Sequence, residues 1–235
     1  MAFSSFANRL PDPAFKITEA GENSNSGLAG PGFRSVKFTS NQPISVSRTN
    51  SGRVITRAVV GQTWKINITY NPMTRDEFEP VYNFLLEKRG RLKPFFVKLP
   101  QHTPRSTTSS TYQVQGAHAA GVDNLLLNVT NATANLRPGD VFTVTDSSNT
   151  NHTKLYQIVR VNDSTNKLSS DSDLNLATER RLYFTPPLAH SVTNGSTLSY
   201  ATPLLRVILA SDVQEYSLGT NNLYTFSLNL EEAQV

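Results

Sequence analysis

Between Phe33 and Tyr70 apolar and polar residues alternate with a period of two, and this rhythm sets what the chain can fold into. "FRSVKFTS" places Val36 and Phe38 against Lys37 and Thr39, and "ISVSRT" places Ile44 and Val46 against Ser45 and Ser47. "WKINITY" places Trp64, Ile66, Ile68 and Tyr70 against Lys65, Asn67 and Thr69. Successive strand side chains point to opposite faces, so these segments read as half-buried strands. "RVITRAVV" repeats the pattern, and "RTNSGR" brings Asn50 and Gly52, which tolerate positive φ, to a turn. Residues 44–70 are therefore expected to form a hairpin with its tip at Asn50–Gly52, running on into a strand at Trp64.

Residues 74–100 break the rhythm. Thr74 followed by Glu77 is a capping-box pair, and Phe78, Val81, Tyr82 and Leu85 make one apolar stripe at helical spacing. A helix over 74–89 is predicted, ending in basic residues and the stop Gly90. Pro80 lies too deep to be a first-turn proline, so either the first turn kinks or regular helix begins near Pro80. "PFFVKLP" then gives a further strand.

A Ser/Thr run at 101–112 marks a boundary. Beyond it, short strands are expected at 124–130, 140–146, 154–162, 180–186 and 196–202, separated by turns such as "RPGD" and "TNGS". Strands at this spacing suggest a small barrel or sandwich. After Pro203 longer alternating strands return, with "LLRVILASD" and "NLYTFSLNLEEA" turning at "LGTNN". The expected organisation is an extended N-terminal arm at 1–32, a discontinuous β domain from 33–104 plus 203–235, and an inserted all-β domain at 105–202. The arm is rich in Gly and Pro, with Phe15 as an aromatic anchor.

Composition narrows the function. Charged residues make up only 17% of the 235 and the formal net charge is +4. That excess is mild, so direct nucleic-acid binding is not expected. With no cysteine, thiolate metal sites and disulfides are excluded. No apolar run approaches the roughly 20 residues of a membrane span, and no secretory leader is apparent. The four histidines, His102, His118, His152 and His190, fall in or beside expected loops without metal-ligand spacing, and read as exposed polar residues. No nucleophile elbow, phosphate-binding loop or dinucleotide fingerprint occurs. Asp163, Asp171 and Asp173 share a loop that reads as a solvated turn before a calcium site. "EKRGRLK" clusters Lys88, Arg89, Arg91 and Lys93. It reads first as dipole complementation and second as an electropositive contact for an acidic partner.

The stretch from Trp64 to Pro100 resembles the minor tail proteins of long-tailed bacteriophages, the lambda-type minor tail protein M group and the related distal tail proteins. The resemblance rests on "W-x-I-x-x-x-Y", the helix ending in "E-K-R-G", the aromatic strand "L-K-P-F-F-V-K-L-P" and the closing "FSLNLEEA". It implies a mainly β fold with one α-helix: a tail-tube-like antiparallel β-sandwich or split barrel flanked by a helix, carrying an inserted small β-barrel or β-sandwich. It also implies a structural virion protein without enzymatic activity or cofactor. Such a protein would form a hexameric ring at the distal tail or baseplate, between the tail tube and the hub or tip proteins. The hairpin and the arm would contact neighbouring copies, with Phe15, Arg48, Asn50, Gly52, Arg53 and Arg57 as interface residues. The alternative is a carbohydrate-binding module that takes a host glycan on Tyr112, Tyr156, Tyr183 and Tyr200. An enzyme of the glycosidase type would need a carboxylate pair, and no pair is apparent.

Overall fold

Trp64, Ile66, Ile68 and Tyr70 are all buried, while the residues between them face outward. The computed structural model in which this is seen describes residues 8–17, 23–24, 30–58, 61–102, 110–130, 136–150, 152–162, 174–175 and 177–233. In chain order, β1 (Lys16–Ile17) and β2 (Asn23–Ser24) pair with each other. Then come β3 (Phe33–Asn41), β4 (Ile44–Arg48), β5 (Val54–Ala58), β6 (Thr63–Tyr70), helix α1 (Arg75–Glu87) and β7 (Phe95–Val97). The middle of the chain holds β8 (Tyr112–Val114), β9 (Asn124–Val129), β10 (Val141–Thr145), β11 (Tyr156–Asn162), β12 (Glu179–Thr185) and β13 (Thr197–Ser199). The last strands are β14 (Leu205–Leu209), β15 (Tyr216–Leu218) and β16 (Tyr224–Glu232). The fold is mainly β with a single α-helix among the described residues.

The chain divides into two compact units, one from residues 1–97 and 206–233, the other chiefly from 98–205. In the first, the strand order is β3-β6-β16-β14-β7, with β15 added to the far end of β16. Residues 8–10 run parallel to β7: Leu10 N–H donates to Phe96 O at 2.8 Å and Phe96 N–H to Asn8 O at 2.9 Å. The β6–β16 register pairs Ile66 with Leu230 and Ile68 with Leu228, so two segments over 150 residues apart in sequence share one apolar face. Phe78, Val81, Phe84 and Leu85 of α1 are buried, with the Phe78 ring stacked on Tyr224 at 4.6 Å and the Phe84 ring edge-on to Phe95 at 5.4 Å. Each such large side chain is worth about 1.5–3 kcal/mol when taken fully from water.

The helix begins at Arg75 and runs through Pro80, so regular helix does not wait for the proline. Its start is fixed by Glu77, whose carboxylate accepts from the Thr74 N–H and hydroxyl, each at 3.0 Å. At the other end Arg89 and Gly90 both take positive φ, 53° and 63°. A Cβ on Gly90 would sit 2.6 Å from Asp212 Oδ1, so this close approach requires glycine.

The second unit is a closed barrel in the order β10-β11-β12-β9-β8-β13. Closure removes free strand edges. Its core is built by Leu125, Leu127, Phe142, Tyr156, Ile158, Leu182 and Phe184. Besides the two-residue β1 and β2 within the expected arm, two strands lie outside the sequence expectation. β8 falls at the end of the Ser/Thr run, and β15 replaces part of the turn expected between the last two strands; at three residues each they carry too little pattern to register.

Candidate functional site

The hairpin β4–β5 is where the molecule departs most from the expectation of half-buried strands. Its two strands pair only with each other among the described residues, and every residue of β4 is exposed. The register opposes Val46 to Thr56, Ser47 to Ile55 and Arg48 to Val54. Paired residues share a face, so Ile44, Val46, Arg48 and Val54 lie on one side and Ser45, Ser47, Ile55 and Arg57 on the other. Ile44, Val46, Val54 and Ile55 are each more than half exposed. Period-two alternation identified strands correctly but could not say whether this chain or another molecule covers the apolar face.

The hairpin is nevertheless well formed. Gly52 takes φ 81° and donates from its N–H to Thr49 O at 2.9 Å, while Arg53 N–H donates to Thr49 Oγ1 at 3.1 Å. Asn50 is exposed at the tip. Arg48, Arg53 and Arg57 form no ion pair among the described residues, and Arg48 and Arg57 point to opposite faces.

Phe15 is placed differently from an anchor for a neighbour. Its ring is 5% exposed within its own chain, with the Arg9 guanidinium 4.7 Å above it. Arg9 also pairs with Asp12 at 2.6 Å, and the Tyr70 hydroxyl donates to Pro11 O at 3.3 Å. Burial and the nearby Asp12 charge push the Tyr70 phenol well above its ordinary value, keeping it a neutral donor. Residues 8–15 are thus bound to their own subunit, and the remainder of 1–32 lies partly outside the described residues.

The basic turn is spent largely within the chain. Lys88 is buried with Nζ 4.4 Å over the Phe84 ring, and burial lowers its ammonium pKa. Arg91 donates from its backbone N–H to Asp212 Oδ1 at 3.2 Å and from its guanidinium to Ala210 O. Arg89 and Lys93 remain at the surface.

The outward face of β3, β6 and β16 carries Ser35, Lys37, Thr39, Lys65, Asn67, Thr69, Thr225, Ser227, Asn229 and Glu231, with no apolar side chain among them. Asn67 donates to Asn229 at 2.6 Å and Lys65 pairs with Glu231 at 3.3 Å. This is a knit polar wall backed by the core.

In the barrel, Tyr112 and Tyr156 are core residues, at 2% and 0% exposure, and so present no stacking surface to a sugar. Tyr183 is capped by the Arg160 guanidinium at 3.9 Å, and Tyr200 is tied by its hydroxyl to the Ser110 backbone. His152 is a correction to the sequence reading. It is buried, and its Nε2 lies 2.7 Å from the Tyr156 hydroxyl, with the His190 ring 5.6 Å away. Desolvation, followed by His190, lowers its pKa to about 4, although the Asp146 charge acts in the opposite sense. No group of three or more metal-ligating side chains occurs among the described residues. Asp163, Asp171 and Asp173 lie outside them.

Two comparisons with known proteins bear on this arrangement. Residues 10–102 match the family model described as distal tail protein pb9, A domain, N-terminal. The distal tail protein pb9 of Escherichia phage T5 is 29% identical over 229 residues, covering 96% of this chain and 99% of that protein. The chain is thus similar to bacteriophage distal tail proteins along most of its length. The family match spans β6, helix α1 and β7, which carried most of the sequence resemblance, and the pairwise match extends through the barrel to the last strand. A distal tail protein is a structural component of the virion tail, which accords with a molecule whose distinctive surface is a well-formed, projecting hairpin.

Proposed function

We propose that this chain is a distal tail protein that closes into a ring of identical copies, about six, at the end of the tail, and that the ring joins the tail tube to the tip proteins. The ring acts by geometry, without catalysis or a cofactor. One observation carries the reading: the hairpin β4–β5 leaves its own sheet and exposes Ile44, Val46, Val54 and Ile55 to solvent. Apolar residues concentrated on a rigid projecting element mark a contact with another molecule. In a ring of like copies that contact is heterologous, with one surface of each copy meeting a different surface of the next. Helix α1 then faces outward, and the polar wall of β3, β6 and β16 lines the opening, where a water-wetted surface costs nothing to leave uncovered.

Replacing Ile44–Ala58 by a short turn tests the reading. The variant is expected to keep its β-sheet circular dichroism and cooperative unfolding while failing to enter tails. Tails that incorporate the shortened protein in normal amount would remove the hairpin from the assembly mechanism.

A further inference from the structure

The same compact unit that carries the hairpin carries a second exposed apolar segment, at 211–218. Val213 is 66% exposed, and Tyr216 and Leu218 are each half exposed or more. These three and the four hairpin residues make up most of the large exposed hydrophobic side chains among the described residues. The two segments are opposite in charge. Residues 44–58 contain Arg48, Arg53 and Arg57 and no acidic residue, whereas 211–218 contain Asp212 and Glu215 and no basic residue.

Building on the ring reading, we propose that the hairpin of one copy docks on the 211–218 segment of the next. The face bearing Ile44, Val46 and Val54 covers Val213, Tyr216 and Leu218, and Arg48, on that same face, approaches Glu215. The occupant is a second copy of this chain because both halves of the contact are present on each copy, and they differ in the way a heterologous, ring-closing interface requires. Like charges would clash if hairpin met hairpin or segment met segment, so the charge pattern also selects against two-fold pairing.

The receiving segment is held in shape. β15 pairs with β16 through Tyr216–Phe226 and Leu218–Tyr224, and the Tyr216 ring lies 4.9 Å from Phe78 of the helix. Asp212 is fixed by the Arg91 N–H. Glu215 makes no ion pair among the described residues, so its carboxylate has no cation to give up on meeting a guanidinium.

Because the chain has no cysteine, introduced thiols report without background. Val46→Cys and Leu218→Cys combined in one chain should cross-link under mild oxidation, in assembled tails, into a ladder ending in a closed multimer, whereas either substitution alone should give none. Arg48→Glu and Glu215→Lys should each cut incorporation into tails at least about tenfold, and the double variant should restore it to within about threefold. Circular dichroism of each purified variant checks that folding is unchanged. A ring visible by electron microscopy, with no cross-link and no effect of either reversal, overturns this docking and leaves the ring reading in place. Absence of any ring removes the ring reading itself.

Discussion

The backbone N–H of Trp64 donates to the Glu232 carboxylate at 3.0 Å, joining residues 168 apart in sequence in a buried bond. Both lie in the sheet where β6 and β16 pair. Glu232→Ala would leave the Trp64 N–H without its acceptor in a site closed to water. A loss of about 1–3 kcal/mol is expected, read as a lower guanidinium midpoint for the unit containing Trp64 fluorescence. Fluorescence-detected unfolding unchanged by the substitution would show that the bond contributes nothing.

Gly90 gives a second prediction, at the end of helix α1. Its φ of 63°, and the 2.6 Å at which a Cβ would meet Asp212 Oδ1, oppose any side chain. Gly90→Ala should destabilise by about 1–2 kcal/mol from backbone conformation alone. The substitution also displaces the 210–212 loop that Arg91 holds. A useful comparison is Gly52→Ala, which shares positive φ but meets nothing within 4 Å, and should cost less in thermal unfolding. Equal losses at the two positions would show that the Asp212 contact adds nothing to the backbone term.

Acid should weaken the barrel through His152. Its folded-state pKa, lowered to about 4 by burial and then by His190, lies below the ordinary value of 6.5. The unfolded chain therefore takes up a proton between those values while the folded barrel does not. Stability is full above about pH 6.5 and falls as pH drops toward 4, by up to about 3 kcal/mol. His102, also lowered to about 4 by burial, acts in the same direction. The diagnostic quantity is thus the difference between wild type and His152→Asn across pH 4–7. Parallel stability curves for the two proteins would contradict the assignment.

The polar wall supports a prediction on access. In assembled tails a thiol at Ser227→Cys, on the face taken to line the opening, should react with a small maleimide far faster than with one carried on a bulky polymer. A thiol at Leu86→Cys, on the exposed side of α1, should react with both. Equal labelling of Ser227→Cys by both reagents would turn the wall outward.

Much of this architecture is legible in the sequence because its signals are local. Trp64, Ile66, Ile68 and Tyr70 announce a strand by alternation, and Thr74 with Glu77 announce the helix start. The similar rhythm of 64–70 and 224–230 hints that they share a sheet, and they do. Burial is less legible, because alternation says that a face is apolar and nothing about what covers it. The hairpin residues Ile44 and Val46 look like Ile66 and Ile68 in sequence yet lie in solvent. His152 shows the reverse error. A histidine in a polar loop is read as exposed, but the Tyr156 hydroxyl four residues on draws it into the barrel. The basic turn is ambiguous in sequence for a related reason: Phe84 lies one helical turn before Lys88, but only the fold brings Ala210 beside Arg91. Phe15, expected to reach a neighbour, is held by Arg9 and the strand-like pairing of residues 8–10 with β7, a contact across nearly 90 residues.

A ring of like copies joined through their hairpins is tested most directly by electron cryo-microscopy of the distal end of intact tails. A closed ring is expected, in which density for residues 44–58 of each copy bridges to its neighbour. A distal end carrying this protein as isolated copies, or a ring whose hairpins stand free in solvent, would contradict it.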